Sequence, residues 1–271
     1  MVDDPSATHA EPLRIAQITD THLYADPDGR LLGLNTRRCL EAVIELALQG
    51  PPLDLVVASG DLSHDGTRQA YRQLRSCFSP AAVPVYCLPG NHDEPATLRE
   101  ELNQGCCHST AELSLGAWQL IFLDSTLAGS EGGHLAPAEL NRLEAALQKR
   151  SDTFALIWLH HQPVDIGSRW MDTMKVDNPA PFFDIIDRHA QVRGVIWGHV
   201  HQAFDTHRAD VRLLAGPSTC VQFLPGSESF AVDAIPPGFR WLELHPDGSF
   251  ATGIERLPEM PGTIDLSGRG Y

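Results

Sequence analysis

Seven residues in this chain carry metal-binding side chains in a recurring local setting: Asp20 with His22, Asp61, Asn91, His160, and His199 with His201. Three offer oxygen, four offer imidazole, and none is a cysteine. This donor set suits iron, manganese or zinc. The lack of thiolate argues against a closed structural zinc site, and the share of imidazole argues against calcium. A carboxylate has two oxygens, so one aspartate can bridge two metals and turn seven residues into eight bonds, four per metal. The remaining positions would take water and substrate.

Each ligand follows a short apolar run. Residues 13–19 (LRIAQIT), 53–59 (LDLVVAS), 83–89 (VPVYCLP), 154–159 (FALIWL) and 192–197 (VRGVIW) read as strands buried on both faces. The ligands therefore sit at strand exits, where rigid strands hold loop residues in fixed relative positions. Glycine directly precedes Asp61, Asn91 and His199. Any one of these could be an ordinary loop glycine. Its repetition points to a sharp turn with close backbone approach.

Between the runs lie helical patterns. Residues 34–50 place Leu40, Val43, Ile44, Ala47 and Leu48 on one face, with Asn35 as N-cap and Gly50-Pro51 as stop. Residues 67–78, 138–150 after Pro137, and 181–190 repeat the pattern, so the strands they join should pair in parallel. Segments 112–115 and 118–124, then 239–245 and 249–257, read as hairpins. This predicts an α/β fold: a four-layer αββα sandwich of two mixed sheets with helices on both outer faces. Ligands spread from 20 to 201 require the halves to interlock, so 1–271 is expected to be one domain, with 1–12 and 258–271 as peripheral tails.

The formal charge is -15, with 35 acidic against 20 basic residues, which argues against nucleic acid or an anionic membrane as partner. A small anionic substrate stays compatible, because bound cations reverse the local field. The N-terminal residues resemble neither a signal nor a transit peptide, and no stretch approaches the ~20 apolar residues of a spanning helix. Six cysteines without C-x-x-C spacing read as free thiols in a reducing cytoplasm. A homodimer is compatible with all of this.

Asp20-x-His22, residues 60–66 (GDLSHDG), 90–93 (GNHD), His160 and 198–201 (GHVH) together resemble the five-block signature of calcineurin-like metallophosphoesterases, in that family's order. Residues 31–36 (LLGLNT), 217–223 (PSTCVQF) and the closing Gly270-Tyr271 are similar to the bacterial class III 3′,5′-cyclic AMP phosphodiesterases. The resemblance implies that Asp20, His22 and His201 hold one metal, that Asn91, His160 and His199 hold the other, and that Asp61 bridges them. It also implies His92 as a non-ligand general acid, and His22, Asp61, Asn91, His92 and His201 as the residues meeting substrate. Iron or manganese is the implied metal, with zinc fitting the same donors.

The resemblance is incomplete in one block. Phosphoprotein phosphatases of the superfamily resemble G-D-x-x-D-R-G there, whereas this chain has His64 and Asp65 in place of the Asp-Arg pair. The usual orienting aspartate for the catalytic histidine is missing, leaving Asp93 and Asp65 as alternatives. Loss of the arginine removes a clamp associated with protein substrates and suits a small diester. The implied reaction is in-line attack of a metal-bridging hydroxide on 3′,5′-cyclic AMP, giving 5′-AMP and lowering intracellular cyclic AMP. Another small diester, such as a 2′,3′-cyclic nucleotide or a glycerophosphodiester, is the alternative. A non-catalytic scaffold is disfavoured by the full ligand set.

Other residues invite either of two readings. His161, beside His160, would point to the opposite face of a strand, as a core residue or a supporting one. Asp124, closing residues 118–124, serves either the site or a turn. Trp170, in the aperiodic stretch 165–180, either stacks on adenine or packs onto the body, and packing is favoured. Cys106 and Cys107 read as buried thiols, and the histidines at 9, 108, 134, 189, 207 and 245 as ordinary surface or core residues.

Overall fold

The computed structural model describes residues 11–268 and Gly270. The first ten residues of the expected N-terminal tail, His9 among them, lie outside the described residues, as do Arg269 and Tyr271. The chain opens with β1 (Leu13–Ile18), the small hairpin β2 (Arg30–Leu31) and β3 (Leu34–Asn35), and α1 (Thr36–Gln49). It continues through β4 (Leu55–Ser59), α2 (Arg68–Phe78), β5 (Val85–Leu88), α3 (Pro95–Glu101) and β6 (Cys107–His108). Then come β7 (Glu112–Leu115), β8 (Trp118–Phe122), α4 (Pro137–Lys149), β9 (Phe154–Trp158), α5 (Arg169–Asp172), α6 (Pro179–Arg188) and β10 (Val192–Trp197). The last strands are β11 (Phe204–Arg208), β12 (Val211–Ala215), the short pair β13 (Gln222–Phe223) and β14 (Val232–Asp233), then β15 (Gly238–Leu244) and β16 (Phe250–Arg256).

Two six-stranded sheets result, ordered β16-β15-β1-β4-β5-β6 and β11-β12-β10-β9-β8-β7. The inner strands of each are parallel, as helical connections require, and the hairpin strands at the edges are antiparallel. All five apolar runs are inner strands. Period-two alternation gives each two apolar faces: Leu55 and Val57 face the second sheet, whereas Val56 and Ala58 face the helices. Three apolar layers follow. One lies under α1, α2 and α3, one lies between the sheets with Ile15, Leu88, Leu120, Trp158 and Ile196, and one lies under α4 and α6. This is the expected four-layer sandwich.

Helix α1 starts where its cap predicts, with Asn35 Oδ1 accepting from Arg38 N at 2.8 Å. One expected core position is wrong: Leu48 is 42% exposed, and Cys39 is buried instead. Leu48 lies in the last turn, beside Ala47, which is the residue of that turn that packs into the core. Several elements are not anticipated from the sequence, among them α3, β11 and β12. Strand β11 is almost entirely exposed, so it has no alternating pattern to read.

The sheets are tied below the strand exits by a buried amide, Gln17 Nε2, which donates to Ser59 Oγ (2.9 Å) and to the Trp197 carbonyl (2.8 Å). At the far end of the chain, Met260 and Ile264 pack against the core, and Asp265 N donates to Leu32 O at 2.8 Å. Among the described residues no helix is long and apolar enough to cross a membrane.

Candidate metal centre

Five of the seven candidate ligands have left-handed backbone: φ is 54° at Asp20, 45° at His22, 50° at Asp61, 65° at His199 and 46° at His201. Non-glycine residues adopt this only where surroundings enforce it, at a cost of order 1–3 kcal/mol each. Here the enforcement is a ladder between two loops. Asp20 N donates to Gly60 O (3.0 Å), His22 N to Asp61 O (2.9 Å) and Leu23 N to Leu62 O (3.2 Å). The chain thus turns abruptly at each strand end and aims successive side chains at one point.

The side chains meet there, all buried except Asn91, which is partly exposed. His201 Nε2 lies 3.3 Å from Asp20 Oδ1 and 3.2 Å from His22 Nε2. His160 Nε2 lies 3.3 Å from Asp61 Oδ2, and His22 Nε2 lies 3.8 Å from the same oxygen. Asp20, His22 and His201 form one cluster whose ligand atoms could hold an ion; Asp20, Asp61 and His160 form another. Asp61 Oδ2, Asn91 Oδ1, His160 Nε2 and His199 Nε2 are all buried without a hydrogen-bond partner. Four such atoms at one place would cost several kcal/mol unless a cation satisfies them.

The rings are held from behind. His160 Nδ1 donates to the Ser59 carbonyl (3.0 Å) and His201 Nδ1 to the Val221 carbonyl (2.8 Å), so each turns Nε2 inward. Both oxygens of Asp20 accept from His199 N, at 3.0 and 3.1 Å. Burial pushes His22 and His199 well below the usual imidazole range, which keeps them neutral donors. Burial also acts to lower His160, but the Asp61 and Asp20 carboxylates override it and raise this ring to about 9. Burial opposes ionisation of Asp61, yet the charge of His160 beside it holds it well below the usual carboxylate range.

The three recurrent glycines are not ordinary loop residues. A Cβ on Gly90 would stand 2.2 Å from Asp61 Oδ1 and 2.7 Å from His160 Nε2. On Gly60, whose φ is 93°, it would stand 2.2 Å from His160 Nδ1, and on Gly198 it would be 2.1 Å from Thr19 Oγ1. Each is the space in which a ligand sits.

His92 is half-buried at the edge of the centre and lines the adjoining pocket. Neither aspartate proposed to orient it does so. Its Nδ1 donates to the His64 carbonyl at 3.3 Å. Asp93 is instead spent on Leu62 N, Ser63 N and Gly90 N (3.1, 2.9 and 2.9 Å), stitching two ligand loops together, and burial with the Asp61 charge pushes it up to about 6. Asp65 accepts from Ala25 N and Thr67.

His161 does not point away from His160. Strand β9 ends at Trp158, so strand alternation no longer applies, and the His161 ring lies 5.0 Å from that of His160 and 4.7 Å from that of His199. Its Nδ1 is 2.8 Å from Ser125 Oγ, and burial, aided by the His160 charge, pushes it down to about 3. Asp124 serves a turn, accepting from Thr126, and pairs with Arg99 at 3.1 Å. Cys107 is buried, Cys106 less so, and all six cysteines are unpaired.

Two residues near the centre are given no role in the sequence reading. His64 stacks on His92 (4.9 Å, 23°) and stands 3.4 Å from His22, nitrogen to nitrogen; burial, then the neighbouring His92, lowers it to about 4. Phe223 stacks flat on His201, 4.1 Å between centroids with planes 6° apart. Both lie in stretches singled out for resemblance, at 60–66 and 217–223.

Residues 13–203 match the family model for calcineurin-like phosphoesterases. The chain is 41% identical to the 3′,5′-cyclic adenosine monophosphate phosphodiesterase CpdA of Pseudomonas aeruginosa, over 98% of this chain and 97% of the relative. It is 36% identical to CpdA of Escherichia coli K12, over 96% and 95%. A 3′,5′-cyclic-nucleotide phosphodiesterase from Nostoc is 39% identical, over 91% and 93%. Among solved structures, a dimetal phosphatase from Danio rerio superposes with a TM-score of 0.63 at 13% identity, covering 89% of this chain and 98% of the other, a likeness of fold alone. The strand-exit ligands, the two-sheet sandwich and these matches agree: the chain belongs to the calcineurin-like phosphoesterase family.

Proposed function

We propose that this protein hydrolyses 3′,5′-cyclic AMP to 5′-AMP at a two-metal centre. The observation that carries the reading is the set of buried, unpartnered donors Asp61 Oδ2, Asn91 Oδ1, His160 Nε2 and His199 Nε2 beside the Asp20, His22 and His201 cluster. Near full-length identity to phosphodiesterases of that name supports the substrate. Asp20, His22 and His201 would hold one metal and Asn91, His160 and His199 the other, with Asp61 between them. Iron or manganese is the proposed metal; the oxygen and imidazole donors suit either, and suit zinc as well. Bound there, the cations supply an activated water and positive charge for the phosphoryl oxygens.

The remaining steps belong to the chain. Asn91 and His92 line the pocket together with His199, which supports a diester seated between the ligand cluster and the proton donor. With its Nδ1 donating to the His64 carbonyl, His92 would serve as the imidazolium and give its Nε2 proton to O3′ as the P–O3′ bond breaks. The unpaired cysteines support a reducing cytoplasm as the place of action.

The test is a panel of 3′,5′-cyclic AMP, 2′,3′-cyclic AMP and a glycerophosphodiester with the protein loaded with each metal. Turnover confined to the latter two would reject the substrate; no turnover of any, with no metal retained, would favour a scaffold.

A further inference from the structure

Beside the metal centre lies a pocket of about 440 Å³, within the ~300–1,000 Å³ span of small-molecule sites. Its inner wall is Asn91, His92 and His199, and its outer wall includes Trp170, Met174 and Phe230. Phosphate chemistry uses only the inner wall. The outer one is aromatic and apolar, and it calls for a flat apolar group attached to the phosphate.

We propose that this pocket is the nucleoside subsite, with Trp170 as the ring on which the purine stacks; the assignment rests on the cyclic-nucleotide reading above.

Trp170 is built into its place rather than resting on the surface. Its Nε1 donates to Ser227 Oγ at 3.0 Å, and its ring meets Phe223 and Phe230 edge to face at 5.1 and 5.3 Å. Phe223 in turn stacks on His201, so one ring links the indole to the metal centre. The segment below is fixed as well, because Ser168 Oγ accepts from Gln202 Nε2 (3.2 Å) and Gly226 N (3.0 Å). A preset indole stacks with little ordering cost.

Charge gives the pocket a direction. Its charged lining residues among those described are the carboxylates Glu131 and Glu228, of which Glu228 pairs with Arg169 at 3.3 Å, leaving Glu131 to set the sign. A phosphate is repelled from that end and drawn to the metals, while a base carrying an amino group can donate to a carboxylate there. The substrate therefore enters phosphate inward and base outward.

The experiment uses the metal-loaded full chain with two substrates, 3′,5′-cyclic AMP and glycerophosphoethanolamine, a diester without any ring to stack. In Trp170→Ala the ratio of kcat/KM for the first to that for the second falls about 10-fold, the loss expected for one stacking ring. An unchanged ratio, including an equal fall in both, overturns the proposal. Wild-type protein gives a second reading that no folding defect can cloud. There 5′-AMP inhibits glycerophosphoethanolamine hydrolysis about 10-fold more tightly than ribose 5-phosphate does, and equal inhibition overturns the subsite. Wild-type protein that cleaves glycerophosphoethanolamine but not cyclic AMP rejects the substrate reading instead, so the two failures are separable.

Discussion

The backbone N–H of His92 donates to Asp61 Oδ1 at 2.9 Å. The residue proposed to protonate the leaving group is thus pinned to the carboxylate proposed to lie between the two metals. Asp61 spends one oxygen on this bond and turns the other toward His160 at 3.3 Å. The second anchor of His92 is the main-chain carbonyl of His64, at 3.3 Å from Nδ1.

His92→Ala should separate chemistry from metal binding. It removes the imidazole and leaves every proposed ligand in place, so kcat should fall by roughly 10²–10⁴ while metal content stays at the wild-type level. Metal analysis alongside steady-state kinetics checks this. Near-normal turnover would remove His92 from the reaction.

Gly90→Ala tests the close approach. The new Cβ would overlap Asp61 Oδ1 and His160 Nε2, so the loop must shift and metal should be lost together with activity. Gly50→Ala is the control, since its φ is -77° and its nearest neighbour would be 3.6 Å away. Equal metal content in the two variants would contradict the role given to Gly90.

The sequence displayed its layers clearly because inner parallel strands are apolar on both faces, and all five runs ending in ligands became such strands. The seven candidate ligands stand out by residue type at strand exits, whereas His92 is set apart from them only by the family resemblance. What stayed hidden depended on backbone geometry. The left-handed turns at Asp20 and His22 have no glycine to announce them, and the His64 carbonyl that orients His92 is a main-chain atom that every residue possesses. His161 was misplaced because β9 stops two residues before His160. Trp170 gave an ambiguous signal, since an aromatic in an aperiodic stretch packs and binds with the same side chain.

Metal removal should cost stability as well as activity. Unpartnered buried donors make the metal-free centre costly, and a ligand at ~1,000 times its Kd adds about 4 kcal/mol, which corresponds to a Tm change on the order of 10 °C at this size. Thermal unfolding with and without a chelator, followed by re-addition of metal, measures it. An unchanged Tm would mean that these atoms hold no metal.

The most direct test of the central claim is the product formed from 3′,5′-cyclic AMP by the metal-loaded protein in water enriched in ¹⁸O. A two-metal phosphodiesterase of the proposed geometry gives 5′-AMP with a single solvent oxygen on phosphorus. Formation of 3′-AMP, or recovery of intact cyclic AMP while another diester is cleaved, would contradict it.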